Sequence, residues 1–225
     1  MLKAIFADFY GTIVYEDGPI IKVICERIQQ TGKVENISDI DSYWRTEFQQ
    51  LFINSYWGSF RTQRVLEYES LVKTVEHFKS TENPHELSNY MFEYWSKPPI
   101  FEDGKEFIEK SPVPVYIISN IDNCDIESAI KLHGLAPTGV YTSENAKSYK
   151  PRREIFEMAL GEIGLQSNEV IHIGDSINSD IKGAEALGIQ AVWLNRFRKS
   201  NPNNYTNVKG LIEVFSMFDF SKVLV

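Results

Sequence analysis

The chain has 225 residues and a formal net charge of −8, with 43% hydrophobic and 24% charged residues. This length allows one or two domains, and the hydrophobic content is sufficient for a large core, which argues against a disordered chain. The acidic balance argues against nonspecific nucleic-acid binding and against an anionic membrane surface as a partner, because both need a basic footprint.

Cysteine content and apolar runs indicate the compartment. Cys25 and Cys124 lie far apart in the sequence, so a disulfide framework is not expected and reduced thiols are the simplest interpretation. The N-terminal run MLKAIFADF is broken by an Asp and is too short for the core of a signal peptide. No run reaches the roughly 18 apolar residues of a membrane span. We therefore expect a soluble, cytoplasmic protein.

The first predicted element is a short buried strand over 3–8, KAIFAD. It is followed by segments with amphipathic, helical patterning and no comparable strand signal, which predicts a helical insertion of about 80 residues. These segments cover 19–32, 39–56, 61–78 and 84–95. Residues 96–104 are predicted to be the returning linker, because Pro98 and Pro99 block continuation of the last helix.

After residue 100, short apolar runs alternate with helical segments. Strands are predicted at 113–119, 170–175 and 191–195, with a weaker one at 139–144. Helices are predicted at 122–134, 152–164 and 176–188. Continuous apolar strands that alternate with helices are typical of an α/β domain whose parallel sheet is covered on both faces.

Polar residues follow several of these strands. Asp8 ends the first strand, Ser119 and Asn120 end the second, and Asp175 follows the fourth, with Asp180 about one turn further along. Lys150 precedes a predicted helix. In an open parallel sheet the carboxyl ends of the strands form the binding edge, so these groups converge if the strands share one sheet. Taken singly, each has a structural interpretation as a cap, a turn residue or a solvated charge.

The combination resembles the haloacid dehalogenase superfamily. The matching motifs are DFYGT (8–12), IISN (117–120), YKP (149–151) and GDSINSD (174–180). The resemblance implies a Rossmann-like, doubly wound parallel sheet as the core, formed by 1–15 and 100–225. It also implies that the helical insertion, 16–99, is a cap domain over the active site.

The family also implies roles for these residues. Asp8 would be the nucleophile, and Thr12 would orient it. Ser119 and Asn120 would contact the substrate, and Lys150 would neutralise charge on Asp8 and on the group under attack.

A metal site is implied by the last motif. Asp8, Asp175, Asp180 and the backbone carbonyl of Tyr10 would hold Mg²⁺, which prefers hard oxygen ligands. Carboxylates crowded together repel one another unless a cation lies among them. This set favours a Mg²⁺-dependent phosphatase acting on a small phosphorylated metabolite.

Tyr10 points towards a different chemistry. Most phosphatases of the superfamily have at this position a second Asp that protonates the leaving group, whereas its 2-haloacid dehalogenases have Tyr. These dehalogenases use an Arg of the cap to receive the halide, and Arg45 in YWRTEFQQL has a similar context. The resemblance therefore implies that Tyr10 and Arg45 contact the substrate. A metal-independent dehalogenase is therefore the alternative, and a non-catalytic binding protein is the second alternative. The sequence does not indicate the physiological substrate or the oligomeric state.

Overall fold

The computed structural model describes residues 1–201 and 203–220. Its strands form one sheet in which every paired strand is parallel, in the order β3-β2-β1-β4-β5-β6. The strands are β1 (Ala4–Ala7), β2 (Val115–Ser119), β3 (Gly139–Thr142), β4 (Val170–Gly174), β5 (Gln190–Leu194) and β6 (Asn207–Val208). The order reverses around β1, which has β2 on one side and β4 on the other. This is the position at which doubly wound sheets bind ligands.

Helices lie on both faces of the sheet and in the insertion. They are α1 (Gly18–Thr31), α2 (Ile37–Ile53), α3 (Gln63–His77), α4 (Pro84–Ser96), α5 (Glu102–Lys110), α6 (Asn123–His133), α7 (Ser143–Ala146), α8 (Glu154–Ile163), α9 (Gly183–Glu185) and α10 (Val214–Met217). No helix in the described part of the chain is long and apolar enough to cross a membrane.

Alternation along β1 distributes its side chains between two cores. Ile5 and Ala7 belong to one buried cluster, whereas Ala4 and Phe6 belong to the other. This is the period-two pattern of a strand buried on both faces. The first cluster continues into the insertion, where it includes Trp44 of α2. The predicted α/β fold with an inserted helical domain is therefore confirmed.

The chain enters and leaves the insertion side by side. Val14 and Ile100 form an antiparallel bridge, and the Tyr15 N–H donates to the Pro99 carbonyl at 2.9 Å. These contacts support the predicted division of the chain at 15/16 and 99/100, which stays a prediction.

Two predicted elements differ from the structure. The linker predicted over 96–104 is shorter, because α5 begins at Glu102. The single helix predicted over 176–188 was wrong: Ile177–Lys182 forms a wide π-helical turn before the short α9. In this turn the Ile181 N–H donates to the Ser176 carbonyl at 3.3 Å. The wide turn accommodates Asp180, whose side chain is held by groups far away in the sequence.

Candidate active site

The structure brings three carboxylates together at the carboxyl ends of β1 and β4. Oxygen atoms of Asp8, Asp175 and Asp180 all lie within 4.8 Å of one another. The Asp8 N–H donates to the Ile173 carbonyl of β4 at 2.9 Å, which fixes the start of the loop after β1 against the neighbouring strand. The convergence expected from the topology of the sheet is therefore present.

Lys150 is the cation at the centre of this cluster. Its side chain is buried, and its Nζ donates to Asp8 Oδ1 at 2.7 Å, to Asp180 Oδ1 at 2.6 Å and to the Ile118 carbonyl at 2.7 Å. These three acceptors use all three protons of an ammonium group. Burial favours the neutral amine, but attraction by Asp180 and Asp8 outweighs it and raises the pKa of Lys150. Lys150 is therefore a charged, immobilised group.

Asn120 positions the Lys150 backbone. Its amide nitrogen donates to the Lys150 carbonyl at 3.0 Å, and its Oδ1 accepts from the Lys150 N–H at 2.7 Å. This double contact joins the end of β2 to the loop that carries the lysine. Ser119 lies buried at the end of the same strand, and its hydroxyl makes no hydrogen bond with any residue described here.

Asp180 is held more tightly than the other two carboxylates. Its Oδ1 also lies 3.1 Å from His172 Nε2, and its Oδ2 accepts from the Ser176 N–H at 3.0 Å. Burial would raise the pKa of Asp180, but Lys150 and the bond from His172 outweigh it and lower the pKa to about 2. A side chain at Gly174 would collide with Asp180, since an added Cβ would lie 2.3 Å from its Cγ. Glycine at this position therefore lets Asp180 pack under the strand end.

Asp8 and Asp175 are the two carboxylates that this network satisfies less well. Burial raises the pKa of Asp8 to about 7, with Lys150 opposing the shift and Asp180 adding to it. Burial, together with Asp8 and Asp180, raises the pKa of Asp175 to about 8. The Asp175 carboxylate accepts no hydrogen bond from the described residues. A cation beside it would relieve this repulsion, so the three side chains fit a divalent metal with oxygen ligands.

The loop after β1 is shaped for close approach to Asp175. Gly11 has φ of +85°, and a Cβ there would lie 2.6 Å from Asp175 Oδ1. Thr12 Oγ1 donates to Asp8 Oδ2 at 3.3 Å, and its orienting role stays a prediction. Arg196 supports the same loop by donating to the Thr12 carbonyl at 2.9 Å.

Two residues predicted to bind substrate have other contacts. The Tyr10 hydroxyl donates to the Trp95 carbonyl of α4 at 2.6 Å, so it connects the loop after β1 to the insertion. Burial is the main cause that raises the pKa of Tyr10 well above its usual value, followed by nearby acidic groups. Arg45 is mostly exposed and contacts both oxygens of Asp41, 2.8 and 2.9 Å away. Within the described residues, Arg45 makes no hydrogen bond to Asp8, Asp175 or Asp180.

Several residues that join the insertion to the sheet were missed by sequence reasoning. Asp122, after β2, accepts from the N–H groups of Gln63 and Arg64 in the first turn of α3, at 2.7 and 3.0 Å. The Arg64 guanidinium donates to Asp125 of α6 at 2.5 and 2.9 Å. Because Asp122 follows the IISN motif by only two residues, its position next to the binding edge was a usable signal.

His172, in the middle of β4, also contacts the group of carboxylates. It is buried between strands, and burial lowers its pKa, but its Nε2 contacts Asp180. Its Nδ1 has no partner among the described residues. It therefore belongs to the support of the site as well as to the core.

The family is decided by a match that covers most of the chain. A model of the haloacid dehalogenase-like hydrolases matches residues 2–188. The chain belongs to the haloacid dehalogenase-like hydrolase family. The predicted resemblance is thereby confirmed. The cluster formed by Asp8, Asp175 and Asp180 lies within the residues that the family model matches.

Similar proteins include both phosphatases and dehalogenases. The hydrolase is 25% identical to the uncharacterized hydrolase C7D4.05 of Schizosaccharomyces pombe, over 83% of this chain and 87% of that protein. Shorter stretches match proteins named as phosphatases.

Solved structures show the same fold. The magnesium-bound HAD-hydrolase YfnB of Bacillus subtilis has a TM-score of 0.74 and 19% identity, covering 96% of this chain and 97% of its own. The L-2-haloacid dehalogenase of Xanthobacter autotrophicus, with chloropropionic acid covalently bound, has a TM-score of 0.75 and 14% identity, covering 96% and 98%.

Proposed function

We propose that this hydrolase is a Mg²⁺-dependent phosphatase that acts on a small phosphorylated metabolite through Asp8. The observation that carries the proposal is the cluster of Asp8, Asp175 and Asp180 within 4.8 Å. Cleavage of a carbon–halogen bond needs one carboxylate nucleophile and gains nothing from the Asp175 carboxylate. A phosphate dianion approaching Asp8 needs a positive charge there.

The residues that would hold the metal are Asp8, Asp175 and the backbone carbonyl of Tyr10. Asp180 would act mainly through water, since its two oxygens already accept from Lys150, His172 and the Ser176 N–H. When bound, Mg²⁺ would neutralise charge on the phosphoryl oxygens and on the Asp8 carboxylate.

The chain's own groups then account for the transfer. The Asp8 carboxylate attacks phosphorus, the bond from phosphorus to the leaving oxygen breaks, and the leaving oxygen keeps the electron pair. Lys150 stays on Asp8 Oδ1 throughout and stabilises the charge that develops there. The Ser119 hydroxyl is available to donate to a phosphoryl oxygen. Water then hydrolyses the aspartyl phosphate, which restores Asp8 and releases phosphate.

The first test measures two products in parallel. With Mg²⁺, the protein is expected to release nitrophenol from p-nitrophenyl phosphate, and EDTA should abolish this release until Mg²⁺ is restored. Release of halide from L-2-chloropropionate in EDTA, with loss of that activity in Arg45→Ala, would overturn the proposal in favour of a dehalogenase. Mg²⁺ binding without turnover of any phosphate or haloacid would favour a non-catalytic protein.

Asp175→Asn is expected to remove the response to Mg²⁺. The variant should lose about 100-fold or more in phosphatase activity, because the charge stabilisation that a metal supplies amounts to several kcal/mol. Its melting temperature without metal should rise, since a repelled carboxylate has been neutralised. Calorimetry should show that Mg²⁺ raises the melting temperature of the unmodified protein and not that of Asp175→Asn. The exposed change Asp39→Asn should respond like the unmodified protein, and a retained Mg²⁺ shift in Asp175→Asn would exclude Asp175 as a ligand.

Tyr10→Asp is expected to extend the activity to alkyl phosphates. Without a general acid, alkyl phosphates should be turned over about 10²–10⁴-fold more slowly than with one, whereas aryl and acyl phosphates have stable leaving groups. Rates with p-nitrophenyl phosphate and with glycerol phosphate measure the difference. The control is Tyr10→Phe, which also removes the hydrogen bond to the Trp95 carbonyl but adds no acid. An equal gain in both variants, or no gain in Tyr10→Asp, would show that position 10 does not hold the missing acid.

A further inference from the structure

The insertion contains a cavity of about 370 Å³ among its own helices. This volume lies in the range of ligand pockets, roughly 300–1,000 Å³. Its walls come from the start of α1 and from α2, α3 and α4. The charged and indole side chains of these walls are those of Asp17, Asp41, Trp44, Arg45, Glu67 and Trp95.

This cavity lies next to the loop that follows β1 and carries Tyr10. Asp17, Gln63 and Trp95 also line a second, smaller cavity of about 150 Å³, whose other walls include Tyr10 and Asn120. The two cavities therefore share a wall, and the smaller one lies against residues that flank Asp8 and Lys150. A substrate with its phosphate at Asp8 would extend its leaving part in this direction.

The wall of the large cavity contains three acidic side chains and one basic side chain. The guanidinium of Arg45 is already bound by both oxygens of Asp41. Asp17 and Glu67 form no direct ion pair in the described chain, although the charge of Arg45 attracts both, and Asp17 Oδ2 accepts from Trp95 Nε1 at 2.8 Å. This environment repels a halide or a phosphate and attracts a cation.

Glu67 is the least satisfied of these groups. Its side chain lies in the cavity wall, it is only 4% exposed, and its Oε1 has no hydrogen-bond partner among the described residues. A buried carboxyl oxygen without a partner is destabilising. Burial, and next the negative charge of Asp17, raise the pKa of Glu67 well above its usual value, although a hydrogen bond from Trp44 and the charge of Arg45 act in the opposite direction. A cationic donor in the cavity would offset this penalty.

Aromatic rings complete the wall. Trp44 Nε1 donates to Ser70 Oγ at 3.0 Å, and Trp95 Nε1 donates to Asp17. Because both indole N–H groups are engaged, these side chains offer a ligand mainly their ring surfaces. Indole rings bind organic cations more strongly than other aromatic side chains do.

We infer that this cavity binds an ammonium group carried by the leaving part of the substrate, with Glu67 as its hydrogen-bond acceptor. The inference rests on the proposed phosphatase function and narrows its substrate class to phosphate esters or acyl phosphates that bear a cationic amine. Neither a haloacid nor a neutral sugar phosphate has the charge that this cavity lacks.

The first experiment measures binding without metal and without turnover. Benzylammonium and the neutral benzyl alcohol are titrated by calorimetry, with the fluorescence of Trp44 and Trp95 as a second signal. Benzylammonium should bind at least about tenfold more tightly, as expected for a charge-assisted hydrogen bond. Glu67→Gln should remove this preference, and Asp17→Asn should reduce it. Glu76→Gln, an exposed change on the same helix, should leave it unchanged.

Equal binding of the two probes, or an unchanged preference in Glu67→Gln of normal melting temperature, would overturn the inference. A second experiment compares 4-(aminomethyl)phenyl phosphate with 4-methylphenyl phosphate, both of which have aryl leaving groups. The amine should lower KM, and Glu67→Gln should abolish that difference. Hydrolysis of both without preference for the amine would refute the cavity assignment and leave the phosphatase proposal standing. Preferential ammonium binding without hydrolysis of either would refute the phosphatase and retain the cation site.

Discussion

Asp8→Asn is expected to reduce phosphatase activity by about 10⁴-fold or more, because an amide cannot form the covalent intermediate and the remaining groups act as a unit with the nucleophile. The fold should survive this change. Asp8 is a buried carboxyl that burial and Asp180 already disfavour in its charged form, and an Asn of similar shape can still accept from Lys150. Single-turnover assays with p-nitrophenyl phosphate would measure the loss.

The control for this variant is Asp39→Asn, which alters an exposed carboxylate of α2. It should retain full activity. A second readout is mass spectrometry of protein quenched during turnover, in which the unmodified chain should carry a phosphoryl group on Asp8. If Asp8→Asn still releases nitrophenol at more than about one hundredth of the normal rate, Asp8 is not the nucleophile.

Lys150→Met is expected to lower the free energy of unfolding by about 3–5 kcal/mol, the usual effect of removing one partner of a buried ion pair. The change leaves Asp8 and Asp180 buried next to each other without their shared cation. It also leaves the Ile118 carbonyl without its donor. Urea denaturation at neutral pH would measure the loss, and activity should fall with it because the charge on Asp8 is no longer neutralised.

The comparison for Lys150→Met is Lys131→Met, an exposed change on α6 that should be nearly neutral. Mg²⁺ should restore part of the stability of Lys150→Met, since it would supply a second cation to the same carboxylates. A Lys150→Met protein as stable as the unmodified one would mean that the ion pairs do not contribute as the geometry indicates.

The strands and the binding edge were predictable because their signals are local. Each central strand is a short apolar run, and the parallel topology alone requires that Asp8, Ser119 and Asp175 meet at one edge. The contacts of Lys150 and Asn120 depended on a loop that carries no periodic signal. Only the resemblance to a family could assign them in advance.

Other features depend on tertiary contacts that no local pattern shows. The π-helical turn at Ile177–Lys182 contains Asp180, whose side chain contacts Lys150 and His172, and neither contact can be read from the sequence of the turn. The short α5 was missed because its charged sequence, EDGKEFIEK, has few apolar positions. Tyr10 was expected at the leaving group, whereas its hydroxyl contacts a carbonyl 85 residues away.

Glu67 was missed although a usable signal existed. It lies on α3 together with Ser70, Leu71 and Thr74, at the i, i+3, i+4 and i+7 spacing of one buried helix face. A single acidic residue on such a face is unusual, since Glu is rarely buried without a partner. This exception to the periodic pattern lies at the position to which we assign the binding of an ammonium group.

Asp122 attaches the insertion to the segment that follows β2. Its carboxylate holds the first turn of α3, where a negative charge is favourable, and the neighbouring Arg64–Asp125 pair ties the same turn to α6. A hinged opening of the whole insertion would break both contacts before phosphate could escape. Under the proposed phosphatase mechanism, release through such an opening would require the rupture of charged contacts, so steady-state turnover should accelerate with ionic strength whenever this opening is the slowest step.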